Sequence, residues 1–157
     1  MSRRKSGGTR ANTSGKRLER FASEILEERG YRYTEPHRFL PMREKNQPIY
    51  SRQFETGKSI YDKRRLVDLI LYHPKQYPSC LAIQCKWQAS GGSVEEKYPY
   101  EVLCINQSQY NTMILLDGGG YSDGARQWLL DQSGKNRLEQ VFNQGEFANF
   151  ANRGGFG

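Results

Sequence analysis

The sequence predicts an α/β domain in which a mixed β-sheet is flanked by helices. Three observations carry that expectation. An apolar stripe at helical spacing, Leu18, Phe21, Ala22, Ile25 and Leu26, opens the ordered part of the chain. Two strand-like apolar runs, Leu66–Leu71 and Leu81–Trp87, follow one another across a proline-containing turn. Helix-like and strand-like segments then alternate, which is the pattern of layered α/β folds.

Residues 1–15 are rich in Gly, Ser and Thr, carry Arg3, Arg4, Lys5 and Arg10, and lack acidic side chains. They read as a flexible basic arm, either solvated or laid along phosphates. Residues 16–30 form the first predicted helix, with Gly30 placed to end it. Glu19 sits beside its apolar stripe and borders the core. Residues 31–65 interleave aromatics with cations, among them Arg38, Arg43, Lys45, Arg52 and Lys58. Pro36, Pro41, Pro48 and Gly57 divide that stretch into short extended pieces. Residues 65–73 and 80–88 form the predicted antiparallel hairpin. Tyr98, Val102 and Ile105 fit one helix face, with Pro99 delaying its start. Residues 111–120 read as a buried strand ending in a glycine turn. Residues 124–132 read as a helix, residues 136–144 as a short further helix, and the end of the chain as frayed. The domain therefore spans 16–142, with an arm at 1–15 and a tail at 143–157.

The formal charge is +7 and the pI about 9.4. Such a balance favours a polyanion, because each neutralised phosphate releases counterions. No apolar run approaches the roughly 20 residues of a membrane span, and no secretory signal pattern is present. Cys80, Cys85 and Cys104 lack paired spacing, which argues for reduced thiols in a cytoplasmic protein and against a zinc site. His37 and His73 are isolated, and the glycines of residues 117–120 do not form a nucleotide-binding pattern.

The chemistry concentrates on three residues. Strand alternation puts Gln84 and Lys86 together, opposite Ile83, Cys85 and Trp87. Asp68 is a lone carboxylate in an apolar run, and a buried unpaired charge is prohibitive. Its partner is either Lys86, as a structural ion pair, or a metal ion. In the second case Asp68 and a backbone carbonyl such as that of Cys85 supply hard oxygens for Mg²⁺. Lys86 then stabilises charge at a reacting phosphate or helps orient and deprotonate water.

These segments resemble the PD-(D/E)xK nuclease superfamily from about Gly15 to Leu130. Residues 15–31 resemble its first helix, with Glu19 at the acidic position. Residues 64–71 resemble the strand bearing the metal-binding aspartate, at Asp68. Residues 83–88 resemble the (D/E)xK strand, at Gln84 and Lys86. Residues 90–102, with Lys97, and 114–130 resemble the later helix–strand–helix of restriction-enzyme-like members. Gln84 departs from the usual acidic residue, which lowers metal affinity and gives Glu19 more weight.

The resemblance implies a restriction-endonuclease-like fold and Mg²⁺-dependent hydrolysis of double-stranded DNA, leaving a 5′-phosphate. The implied catalytic set is Asp68, Gln84, Lys86 and Glu19. The implied metal ligands are Asp68, Glu19, Gln84 and the Cys85 carbonyl. DNA contacts are expected from Arg3, Arg4, Lys5, Arg10, Arg38, Arg43, Lys45, Arg52, Lys58 and Lys97, with Arg126 a lesser candidate. One site per domain implies a homodimer or a dimer of dimers for double-strand cleavage. A homing or restriction enzyme, a junction resolvase or repair nuclease, and a non-catalytic DNA-binding protein remain the alternatives.

Overall fold

A computed structural model describes residues 7–91 and 93–157. Arg3, Arg4 and Lys5 lie outside the described residues, and so does the side chain of Arg10. The elements run α1 (Gly7–Glu28), β1 (Arg32–Tyr33), α2 (Pro36–Met42), β2 (Ile49–Lys58), β3 (Arg64–His73) and β4 (Tyr77–Trp87). They continue α3 (Tyr98–Gln107), β5 (Thr112–Asp117), α4 (Asp123–Gln132), β6 (Leu138–Phe142) and α5 (Gln144–Asn152). The six strands form one sheet in chain order. β2, β3 and β4 pair antiparallel, whereas β1–β2, β4–β5 and β5–β6 pair parallel. This is the mixed, helix-flanked sheet that the sequence predicts.

Alternation along the strands divides the core between two faces. Leu69, Leu71, Leu81, Ile83, Met113 and Leu115 pack with Leu18, Ala22 and Leu26 of α1 and Phe147 of α5. On the other face Ile49, Ile70 and Ala82 pack with Phe39 of α2. There, too, Ile114 and Leu116 pack with Tyr98 and Val102 of α3 and Leu129 of α4.

Four expectations require correction. The first helix begins at Gly7, so the second half of the supposed arm is helical. Pro36 and Pro41 do not enforce extended chain. Pro36 opens α2, where a missing N–H costs nothing, and buried Phe39 anchors this short helix to the sheet. Residues 138–142 form a strand and not a helix, because the parallel edge of β5 offers unpaired backbone groups. The tail is ordered. Asn143 and Glu146 make a capping box for α5, and Phe156 is fully buried in the first core face.

The glycine turn after β5 buttresses the end of β4. Gln88 donates its N–H to the Asp117 carbonyl at 2.9 Å, and Gly120 donates to the Gln88 carbonyl at 2.7 Å. A Cβ at Gly120 would lie 2.2 Å from the Ser90 nitrogen, and one at Gly118 2.4 Å from the Gln88 oxygen. Gly120→Ala should therefore destabilise the fold by about 1–3 kcal/mol through backbone overpacking. Chemical denaturation tests this, and an unchanged midpoint would refute the close approach.

Candidate active site

The site forms where β3 and β4 part. Their ladder pairs Leu71 with Leu81, Ile70 with Ala82 and Leu69 with Ile83. Beyond Leu69, side chains replace backbone pairing. Gln84 Oε1 accepts the Asp68 N–H at 3.2 Å, and Gln84 Nε2 donates to the Leu66 carbonyl at 3.4 Å. Asp68 Oδ2 accepts the Cys85 N–H at 2.7 Å. The buried Gln84 carboxamide therefore clamps the two strands at the point of divergence.

A paired irregularity turns Asp68 toward α1. Val67 and Ile70 share one core face although alternation would put them on opposite faces, so the phase slips between them. On the neighbouring strand Ile49 and Phe54 show the same slip, and Gln53 between them has φ 48°. The β2–β3 register accordingly passes from Arg52↔Leu69 to Phe54↔Val67, skipping Gln53 and Asp68. Both side chains meet Glu19 of α1. Gln53 Nε2 lies 3.4 Å from Glu19 Oε1 and 3.4 Å from Asp68 Oδ1.

Electrostatics mark this as a strained pair. Burial first, and the Asp68 charge second, push the Glu19 carboxyl up to about 7. Burial likewise raises Asp68, against the Cys85 N–H and the Lys86 charge that lower it. Burial and the two carboxylates hold the Cys85 thiol well above its ordinary range, so it is a neutral neighbour. Two half-buried carboxylates sharing one amide donor are a poor arrangement unless a cation joins them.

Lys86 points to the opposite side. Its Nζ lies 3.2 Å from Glu101 Oε2 on α3, and Arg65 Nη2 lies 2.5 Å from Glu101 Oε1. Among the described residues Lys86 makes no ion pair with Asp68, so the structural pairing considered from sequence is not the one formed. Glu101 escaped the sequence reading. Its only local signal is an acidic residue among the apolar positions Tyr98, Val102 and Ile105 of one helix face.

The other candidates are dispersed. Arg38, Lys45, Lys58 and Lys97 are exposed, with Lys58 paired to Asp62 at 3.1 Å. Arg43 is half-buried and donates to the Leu40 carbonyl. Arg52 is half-buried near Glu19, and its buried Nε has no acceptor among the described residues. Arg126 pairs with Glu146 at 3.2 Å. All three cysteines are free and buried. Among the described residues no helix is long and apolar enough to cross a membrane.

A family model for a PD-(D/E)XK nuclease superfamily domain matches residues 10–154. The chain belongs to the PD-(D/E)XK nuclease superfamily. No curated protein matches it. Among solved structures it is similar to the MspJI restriction endonuclease in complex with a 27-mer oligonucleotide, at 13% identity and a TM-score of 0.33. That match covers 98% of this chain and 35% of the MspJI chain, so the protein spans about a third of that enzyme's length.

PD-(D/E)XK nucleases generally use divalent metals. No group of three or more His, Cys, Asp or Glu side chains converges among the described residues. Glu19 and Asp68 are instead two carboxylates joined by the Gln53 amide, and hard oxygens of this kind fit a small divalent cation. The raised Glu19 pKa has a consequence for stability. The folded form binds more protons than the unfolded form between the ordinary value of 4.5 and about 7. Metal-free stability should therefore fall as pH rises through that window, and Glu19→Gln should remove this part of the decline. Paired thermal melts in chelator test it; a wild-type-minus-variant difference that does not change with pH would exclude it.

Proposed function

We propose that the protein is a Mg²⁺-dependent, site-specific endonuclease acting on double-stranded DNA. The observation that supports this best is the Glu19–Asp68 carboxylate pair, held at a strand divergence with Lys86 on its other side. Asp68 and Glu19 are the residues that would hold the cation, with the Cys85 carbonyl as a neutral ligand. Gln84 clamps β3 to β4, and its Oε1, which accepts the Asp68 N–H, keeps a second lone pair with which it would serve as a further neutral ligand. A divalent ion bound there would polarise the phosphodiester and lower the pKa of a hydrolytic water.

The chain's own groups supply the rest. Lys86 places a positive charge beside the reacting phosphate, where negative charge grows in the transition state. Cys85 fixes one oxygen of Asp68 by its N–H, leaving the other directed at Gln53 and Glu19. Arg38, Lys45, Lys58, Lys97 and the half-buried Arg43 and Arg52 supply phosphate contacts, as do the basic residues of the N-terminal segment. Each chain carries one site, so cutting both strands requires a homodimer or a dimer of dimers.

Incubation of a complex DNA pool with Mg²⁺ or with EDTA tests the proposal. Discrete fragments with 5′-phosphate ends, formed only with Mg²⁺, are expected. Binding without cleavage, indifferent to the metal, would leave a DNA-binding protein on a nuclease fold. Faster cleavage of branched than of linear DNA would transfer the assignment to a resolvase.

A further inference from the structure

We propose that Glu101 is a positioning residue for Lys86, itself set by Arg65, and that this chain keeps the ammonium aimed at the phosphate and away from the metal-holding carboxylates. The inference rests on the nuclease reading above. Glu101 is only 7% exposed, and both of its oxygens are committed, Oε1 to Arg65 and Oε2 to Lys86. Burial works against its charged form, and the Lys86 and Arg65 charges outweigh that, holding the carboxyl below its ordinary value.

One cation is enough to balance one buried carboxylate. Arg65, itself buried, already meets that need through Nη2. A second cation on the other oxygen therefore calls for an explanation beyond charge balance, especially because buried ion pairs contribute little net stability. Lys86 is 35% exposed at its side chain, so it reaches solvent while its anchor, Glu101, is buried. A lysine stem is flexible and its ammonium a point charge, and such a group stabilises a transition state only when its place is fixed beforehand.

Lys86 is near enough to Asp68 to favour its charged form. Pairing there would neutralise the carboxylate that the cation needs. Asp68 instead has its oxygens engaged by the Cys85 N–H and by Gln53, and Glu101 draws the ammonium toward α3. Anion and cation functions are thus kept on separate sides of the same strand gap.

The test is a cleavage-rate cycle with wild type, Glu101→Gln, Lys86→Ala and the double variant, run with Mg²⁺ on an oligonucleotide duplex found to be cut. Glu101→Gln should lower kcat by about 10–100-fold, as loss of a supporting hydrogen bond typically does, with KM for DNA nearly unchanged. The double variant should be no slower than Lys86→Ala alone. If Glu101→Gln fails to fold, as judged by circular dichroism, Arg65→Lys carries the test with a smaller kcat loss of the same sign. Full activity in the folded variant, a loss confined to KM, or losses that multiply in the double variant would each overturn the positioning role. Absence of Mg²⁺-dependent cleavage by wild type would overturn the nuclease reading, and this inference with it.

Discussion

Asp68→Ala is expected to abolish DNA cleavage while leaving DNA binding and folding intact. Asp68 is the residue on which the candidate site converges: its oxygens meet Cys85 and Gln53, and its charge helps raise the Glu19 carboxyl. Under the proposed function Asp68 would hold the cation, and losing that carboxylate would forfeit several kcal/mol of transition-state stabilisation, roughly 10³-fold or more in rate. The fold should survive, because the lost Cys85 hydrogen bond is offset by relief of repulsion with Glu19. Steady-state cleavage, filter binding and a thermal melt on the same preparations check the three parts. Residual cleavage within an order of magnitude of wild type would remove Asp68 from the centre of the site.

Lys86→Ala should be the second largest loss, about 10²–10³-fold in kcat, the range for deleting one preorganised donor at a developing anion. Lys86→Arg should recover only part of it, since the planar guanidinium cannot occupy an ammonium's place 3.2 Å from Glu101 without shifting that carboxylate. Two cations pair with this one buried acid, so Lys86→Ala leaves Glu101 with Arg65 alone, still charge-balanced. Stability should consequently change little. A large stability loss with kcat preserved would make Lys86 a structural residue.

Asp68, Gln84 and Lys86 stand out as candidates in the sequence for a simple reason. A charged residue inside an apolar run, followed by a strand with polar groups two apart, violates the pattern of a pure core. Ile83, Cys85 and Trp87 do pack on the α1 face and Lys86 on the other, as alternation requires. The meeting of Asp68 with Glu19 depends on something that alternation hides. It follows from the coupled slip at Gln53 and Asp68, two residues on different strands whose irregularities compensate.

Glu101 was hidden for a related reason, since Arg65 and Lys86 reach it only through the tertiary fold. The misread C-terminus differs in kind. Its capping box, Asn143 with Glu146, stands in the sequence, as do Phe147, Ala151 and Phe156, but Gly-rich composition masked a short helix that tertiary packing stabilises. In α2, similarly, the prolines argued for extended chain, and burial of Phe39 decided otherwise.

The central claim, that Glu19 and Asp68 form the cation site, is tested most directly by titrating Mg²⁺ into ¹⁵N-labelled protein and into Asp68→Asn. The Cys85 amide, bonded to Asp68 Oδ2, and the Gln53 side-chain amide, between both carboxylates, are built-in reporters. Saturable shifts of these two signals in wild type, lost in Asp68→Asn, are the predicted result. Saturable shifts elsewhere with these two unmoved, or the same response in the variant, would contradict the assignment.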